Sequence, residues 1–220
     1  MRGVVFDLDE TLVDRQGSLS LYAEALHSAF RAFVALPLDE FVAEFHRLDN
    51  NGRAPRRQFF DSLAAQTFSG VSSNQLGDHF ESNAWQSPRL FPGIRETLLH
   101  IRDRGWRIGI LTNGGVKSQT DKIANSGLSE FVHYSVISDA FGCRKPDKTI
   151  FEHVAAQLAI EPSRSWFVGD DPSVDVWGAK QVGFNVVWVD RHVPWPSDLP
   201  ACYDARVSCA SQLIGIVQDA

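Results

Sequence analysis

In the segment Val4-Val5-Phe6-Asp7-Leu8-Asp9-Glu10-Thr11, an apolar run ends in two carboxylates that lie two residues apart. Side chains alternate along a strand, so Asp7 and Asp9 project to the same side if the extended geometry continues past the apolar run. Two unpaired carboxylates about 4 Å apart repel by roughly 4 kcal/mol at an effective dielectric of about 20. The pair therefore requires a cation or a shared proton, unless both residues merely end the strand and open a turn.

A second polar strand end follows the apolar run Ile108-Gly109-Ile110-Leu111, where Thr112 and Asn113 precede two glycines. The Thr112 hydroxyl and the backbone amides after it are suited to donate hydrogen bonds to an oxyanion. Gly114 and Gly115 permit a ligand to approach the backbone closely. The same residues are also compatible with an ordinary glycine-rich turn between a strand and a helix.

Two later segments add a cation and further acids. Lys145 directly precedes Pro146, which disfavours helix at the lysine, and its ammonium is suited to neutralise clustered carboxylates. Asp170 directly follows a predicted apolar strand and is the preferred metal ligand. Asp171 precedes a proline and is predicted to cap the next helix. Asp175 lies on the first turn of that helix, where it is suited to orient a metal-bound water or to meet the ion from outside its direct ligands, although an acid there also favours the helix for purely structural reasons.

The order and spacing of these segments resemble the four motifs of the haloacid dehalogenase-like hydrolase superfamily. The matching segments are Asp7-Leu8-Asp9-Glu10-Thr11, Leu111-Thr112-Asn113-Gly114, Lys145-Pro146, and Gly169-Asp170 with Asp175. The resemblance extends from Met1 to about Val189. It implies an enzyme that transfers or hydrolyses phosphoryl groups through an aspartyl phosphate.

The resemblance also implies a role for each matching residue. Asp7 would be the nucleophile, Asp9 the general acid and base, and Lys145 the catalytic cation. The residues implied to bind the phosphoryl group are Thr112, Asn113 and Gly114. The implied ligands of Mg²⁺ are Asp7, Asp9 through its backbone carbonyl, Asp170, and Asp175. Because the true dehalogenases of the superfamily lack a second acid, Asp9 favours phosphate chemistry.

The chain is predicted to have an α/β fold with a helical insertion. Beyond Pro92, predicted helices alternate with predicted strands, which indicates a three-layer Rossmann-like parallel sheet with ligands at the carboxyl ends of its strands. Between Asp14 and Pro88, apolar residues recur every three or four positions, as in amphipathic helices. This insertion resembles the helical C1 cap of subfamily I, which would cover the active site. The predicted domains are a catalytic core of residues 1–14 and 89–220 and a small all-helical cap of residues 15–88.

The predicted function is a magnesium-dependent phosphatase for a small phosphorylated metabolite: a sugar phosphate, a nucleotide or a phosphoglycolate-like acid. A phosphomutase, a 2-haloacid dehalogenase and a non-catalytic ligand-binding descendant remain alternatives. Arg53 is a candidate to bind the substrate, as is Arg56, although a charged run between helices is more often a solvated loop. The helical spacing of Phe59, Phe60 and Trp85 favours core packing over a role in stacking on a ligand.

Composition agrees with a soluble enzyme. The 220 residues carry a formal charge of -6 and no long basic run, which argues against a nucleic-acid partner. Cys143, Cys202 and Cys209 are widely spaced, which suits reduced thiols in a cytoplasm. Only six residues precede Asp7, and no apolar stretch is long enough to span a bilayer, so neither a signal peptide nor a membrane partner is expected. We therefore expect a cytoplasmic monomer or homodimer.

Overall fold

The computed structural model describes residues 1–208 and 212–218, and the chain divides into two compact units. The first unit comprises Met1–Asp14 and Leu90–Ala220, and the second comprises Arg15–Arg89. Cys143 and Cys202 are free thiols, whereas Cys209 lies outside the described residues. Within the described residues, no helix combines the length and the apolar character that a membrane crossing requires.

The first unit is built on a six-stranded parallel sheet in the order β5-β4-β1-β6-β7-β8. Its strands are β1 (Gly3–Phe6), β4 (Arg107–Thr112), β5 (Tyr134–Ile137), β6 (Trp166–Gly169), β7 (Asn185–Val189) and β8 (Ala205–Val207). Two short strands, β2 (Val13–Asp14) and β3 (Arg89–Leu90), form a separate two-stranded sheet. The predicted fold class is confirmed, because β1 lies inside the sheet with parallel neighbours on both sides.

Helices cover both faces of this sheet because successive strand residues face opposite ways. Val4 and Phe6 join a core that includes Ile94 of α5, whereas Val5 joins a second core that includes Phe151 of α8. The helices of this unit are α5 (Ile94–Asp103), α6 (Val116–Asn125), α7 (Ser138–Phe141), α8 (Lys148–Leu158), α9 (Trp177–Val182) and α10 (Leu213–Gln218). A sheet with a buried core on each side is the three-layer arrangement expected for such an alternation.

The second unit is helical. It contains α1 (Arg15–Ala29), α2 (Leu38–Asp49), α3 (Arg56–Thr67) and α4 (Ser73–Asn83). Their buried faces form one cluster in which Phe45 packs edge-on against Tyr22 and Phe59. Phe59 and Trp85 are both buried in this cluster, as the sequence predicted.

A buried ion cluster links three helices of the second unit. Asp49, at the end of α2, accepts hydrogen bonds from Arg15 of α1 at 2.9 Å and from Arg56 of α3 at 3.0 Å. The Gly52 backbone N–H donates to the same carboxylate at 2.9 Å. Burial alone would raise the pKa of Asp49, but the two guanidinium groups outweigh it and lower that pKa. Asp49 is therefore held in its charged form.

Candidate active site

The central strand of the sheet positions the first carboxylate. Asp7 directly follows β1, and its backbone N–H donates to the Val168 carbonyl of β6 at 2.8 Å. Phe6 lies opposite Ile110 of β4 and Val168 of β6, so the residues after these three strands emerge at one edge of the sheet. Asp7 and Asp170 therefore lie at the carboxyl ends of adjacent strands, where ligands bind in open α/β sheets.

Asp175 reaches the same place from the segment after β6. It lies in the π-helical turn Pro172–Val176, and the backbone N–H of Asp171 donates to its Oδ2 at 3.2 Å. A Cβ on Gly169 would lie 2.5 Å from atoms of the Asp175 side chain, so a glycine is needed for this approach. The Asp171 side chain accepts from two backbone N–H groups of the turn and is the predicted cap.

Three buried carboxylates share one lysine. One carboxylate oxygen from each of Asp7, Asp170 and Asp175 lies within 4.8 Å of the others. The Lys145 ammonium donates to Asp7 Oδ1 at 2.5 Å and to Asp175 Oδ1 at 2.7 Å. All four side chains are buried. The cluster can therefore hold up to three negative charges against one positive charge in a place shielded from water.

This excess of acid raises the carboxyl pKa values. Burial raises the pKa of Asp7 to about 7, although the Lys145 ammonium acts in the opposite direction. Burial together with the other two carboxylates raises the pKa of Asp170 well above its usual range. Burial likewise raises the pKa of Asp175 against the effect of Lys145. Burial alone would lower the pKa of Lys145, but Asp175 and Asp7 outweigh it and raise that pKa.

An amide side chain fixes the backbone of the lysine. Asn113 Nδ2 donates to the Lys145 carbonyl at 3.0 Å, and the Lys145 backbone N–H donates to Asn113 Oδ1 at 2.9 Å. This two-point contact joins the segment after β4 to the loop that carries Lys145. The backbone N–H of Gly114 donates to Ser138 Oγ at 3.0 Å. Asn113 and Gly114, two of the three residues implied to bind the phosphoryl group, therefore make contacts that position their own loops.

The Asp9 carboxylate has a different counter-charge. Lys122 Nζ donates to its Oδ1 at 2.8 Å and its Oδ2 at 2.7 Å, and Gln119 Nε2 donates to Oδ2 at 3.1 Å. Gln119 Nε2 also lies 2.5 Å from the Thr112 hydroxyl oxygen. Asp9 lies after β1, and Thr112 is the last residue of β4. Side chains of α6 therefore join these two strand ends.

A family model described as haloacid dehalogenase-like hydrolase matches residues 1–183. The chain belongs to this hydrolase family. It is similar to glyceraldehyde 3-phosphate phosphatase of Pyrococcus abyssi, with 29% identity over 191 residues that cover 84% of this chain and 79% of the relative. It is 31% identical to phosphoserine phosphatase of Thermus thermophilus over 197 residues, which cover 88% of this chain and 76% of that protein.

The fold of this haloacid dehalogenase-like hydrolase also matches a solved structure. A HAD-hydrolase from Bacillus subtilis, crystallised with magnesium, superposes with a TM-score of 0.78 at 19% identity. The match covers 99% of this chain and 98% of the other. At this identity the likeness concerns the fold alone. The prediction of an enzyme of this family with a parallel α/β core is confirmed by the family match and the sheet.

The donor set of the hydrolase fits a hard cation. Asp7, Asp170 and Asp175 offer only carboxylate oxygens, which Mg²⁺ prefers over nitrogen or sulfur. A divalent cation would offset the negative excess that raises the three pKa values. The side chain of Asp9 is directed to Lys122, and a metal contact through its backbone carbonyl stays a prediction.

The two arginines singled out in the sequence lie in the second unit. Arg53 is exposed and follows the 3₁₀ turn Asn50–Gly52. Arg56 binds Asp49, and its guanidinium lies 4.9 Å from the centre of the Phe80 ring. Arg56 is therefore engaged within its own unit, and a substrate contact by either arginine stays a prediction.

Sequence reasoning missed Gln119 and Lys122, which contact Asp9. Both lie on the buried face of α6, in line with Ile123. That spacing of three and four residues is the helical period of a core-facing stripe. A lysine on such a stripe, in the helix that directly follows Thr112, is the signal that could have identified them.

Proposed function

We propose that this hydrolase is a Mg²⁺-dependent phosphatase that cleaves a small phosphorylated metabolite through a phosphorylated Asp7. The observation that carries this proposal is the contact between the Asp7 carboxylate and the Lys145 ammonium inside a cluster with Asp170 and Asp175. A carboxylate that attacks an anionic phosphoryl group needs positive charge beside it, because charge develops on the transferring oxygens. A module that only binds a ligand would have no need of this arrangement.

In the first step, an Asp7 oxygen attacks phosphorus and the bond from phosphorus to the ester oxygen breaks. Asp9 gives its proton to the departing oxygen, so the alcohol leaves neutral and Asp7 carries the phosphoryl group. In the second step, Asp9 takes a proton from water as that water attacks phosphorus. The bond to Asp7 breaks, and inorganic phosphate and the free carboxylate are restored.

The remaining residues supply charge and position. Lys145 would neutralise developing charge on the phosphoryl oxygens, and the Thr112 hydroxyl would donate to one of them. Asn113 would keep Lys145 in place through the two hydrogen bonds between its amide and the lysine backbone. Asp7, Asp170 and Asp175 would hold Mg²⁺, with Asp9 contributing its backbone carbonyl. When bound, this ion supplies positive charge that offsets the carboxylates and polarises the phosphoryl oxygens.

We propose short phosphate monoesters as the substrate class. Two similar proteins carry the names glyceraldehyde 3-phosphate phosphatase and phosphoserine phosphatase, and both named substrates are phosphates of three-carbon molecules. The free thiols of Cys143 and Cys202 suit a reducing cytoplasm, where such metabolites occur. We propose a cytoplasmic monomer or homodimer whose partner is this small substrate rather than nucleic acid or a membrane.

The test is phosphate release from a panel of esters, with Mg²⁺ and with a chelator. The panel contains glyceraldehyde 3-phosphate, phosphoserine, phosphoglycolate, hexose phosphates and nucleoside monophosphates. We compare the wild type with Asp7→Asn and with Asp147→Asn. Asp147 caps α8 two residues after Lys145 and is exposed, and asparagine retains the cap.

The proposal requires metal-dependent release that Asp7→Asn abolishes and Asp147→Asn leaves intact. The three-carbon esters should give the highest kcat/KM. Turnover that persists in chelator, or that survives Asp7→Asn, would contradict the mechanism. A preference for nucleotides or hexose phosphates would contradict the substrate class alone.

A further inference from the structure

Helix α6 carries two buried polar side chains that belong to neither the three-carboxylate cluster nor the apolar core. Gln119 is 2% exposed and Lys122 is 3% exposed, although both side chains are among the most polar types. A buried ion pair is weak support for stability, because desolvation offsets much of its Coulombic attraction. The positions of their partners offer a functional explanation.

The Lys122 ammonium donates to oxygens of two polar side chains. It contacts both carboxylate oxygens of Asp9, and Gln119 Oε1 at 2.7 Å. Contacts to both carboxylate oxygens fix the orientation of the Asp9 side chain, not only its location. The contact with Gln119 in turn fixes the ammonium.

Gln119 extends this network to the hydroxyl after β4. Its Nε2 group donates to Thr112 Oγ1 at 2.5 Å and lies 3.1 Å from Asp9 Oδ2. A hydroxyl oxygen that accepts from an amide keeps its own proton for a different acceptor. The Thr112 hydroxyl proton therefore points away from Gln119 and is available to a phosphoryl oxygen.

We propose that Lys122 and Gln119 are positioning residues that hold the acid Asp9 and the donor Thr112 in register with each other. This inference rests on the proposed phosphatase function and adds two residues that touch neither the phosphoryl group nor the metal in that proposal. Their effect passes entirely through Asp9 and Thr112. Loss of the lysine should therefore weaken the proton delivery to the leaving oxygen more than the attack by Asp7.

The test compares two esters that differ in their need for a proton. The leaving group of an alkyl phosphate such as phosphoserine departs as an alcohol and needs a proton. The leaving group of 4-nitrophenyl phosphate departs as a stable phenolate and needs none. The variants are Lys122→Met and Gln119→Leu, with Lys117→Met as a control. Lys117 lies on the same helix, exposed and paired with Asp121.

Lys122→Met should lower kcat/KM for the alkyl ester by on the order of 10²-fold, the size of a general acid contribution. It should lower kcat/KM for 4-nitrophenyl phosphate by less than about fivefold, because this leaving group needs no proton. The later step, in which Asp9 acts as a base, does not contribute to kcat/KM. Gln119→Leu should lower kcat/KM for both esters, because it also releases Thr112, but the loss should be larger for the alkyl ester. It therefore carries the test if Lys122→Met does not fold. Lys117→Met should match the wild type for both esters.

A double-mutant cycle separates positioning from general damage. In the Asp9→Asn background, Lys122→Met should cost less than about threefold, because the group that it positions is already absent. Equal losses for the two esters, no loss, or additive losses in the cycle would overturn this inference while leaving the phosphatase assignment intact. A wild type inactive toward every ester of both panels would overturn the proposed function and this inference with it.

Discussion

Raising the pH should destabilise the metal-free protein, because the folded state holds a proton on Asp7 that the unfolded chain has already lost. Burial in the carboxylate cluster raises the pKa of Asp7 from 3.8 to about 7. Between these values the folded state binds more protons than the unfolded state, so the free energy of unfolding falls as the pH rises. The stabilisation is complete below about pH 4 and is lost by about pH 7.

The size of the effect follows from the same two values. The Asp7 pKa rises from 3.8 to about 7, and at 1.36 kcal/mol for each unit of pKa this lowers the free energy of unfolding by about 4 kcal/mol at high pH. For a protein of this length, 1 kcal/mol moves the midpoint of thermal unfolding by about 2–4 °C, so the expected change is roughly 10 °C. The raised pKa values of Asp170 and Asp175 act in the same direction. The lowered pKa of Asp49 changes the stability only below about pH 4, outside this range.

Comparison with Asp7→Asn isolates the contribution of this one carboxyl group. We would measure unfolding in chelator from about pH 4 to pH 8 for both proteins. The two should have similar stability at the acid end, and the variant should become the more stable protein above neutral pH. Lys145 stays charged throughout this range, because its pKa is raised above its usual alkaline value.

Added Mg²⁺ should flatten the pH dependence of the wild type, because a cation beside the carboxylates favours their charged forms. Parallel pH profiles for the wild type and Asp7→Asn would refute the reasoning. They would mean that Asp7 is already ionised in the metal-free fold. A wild type that grows more stable with pH while Asp7→Asn does not would have the same meaning.

Three further predictions concern the cluster and the helical unit. Gly169→Ala should lower phosphatase activity by on the order of 10²-fold, because the added Cβ would displace Asp175. Gly215→Ala is the control and should retain activity, because a Cβ there meets open space. Equal activities of the two variants would contradict this prediction. Mg²⁺ at 100 times its Kd should stabilise the wild type by about 2.7 kcal/mol in thermal unfolding, and Asp170→Asn should remove most of this stabilisation. An unchanged stabilisation would exclude Asp170 as a ligand. Arg15→Met should cost about 3–5 kcal/mol in urea unfolding because Asp49 stays buried, and the exposed Arg57→Met should cost less than about 1 kcal/mol. Since the folded pKa of Asp49 is lowered, the Arg15→Met cost should shrink as the pH falls, and a constant cost would argue against the ion pair.

The placement of the carboxylate cluster could be predicted because it follows from strand ends. An apolar strand followed by a charged residue is visible in the sequence at Asp7 and Asp170, and parallel strands bring their carboxyl ends to one edge. Asp171 could likewise be identified as a cap from the proline after it. These inferences need only local pattern and the rule of parallel packing.

The contacts of Asn113 and Lys122 could not be read in the same way. Asn113 bonds the backbone of a residue 32 positions away, and Lys122 pairs with a carboxylate 113 positions away. An amide after a strand can bind a ligand or a neighbouring loop equally well, and its local sequence does not distinguish them. A lysine in a helix is ordinarily solvated, so its burial depends on which element packs over it.

The use of two lysines resolves the charge conflict posed by Asp7 and Asp9. Had both carboxylates shared one ammonium, a proton moving on or off Asp9 would strongly change the attraction that steadies Asp7. Instead Asp7 is paired at 2.5 Å with Lys145, which lies in a loop, and Asp9 is paired at 2.7 Å with Lys122 of α6. Coulombic attraction falls with distance, so each carboxylate responds chiefly to its own partner. On the proposed mechanism, Asp9 can therefore exchange protons in both steps while the charge around the nucleophile stays nearly constant.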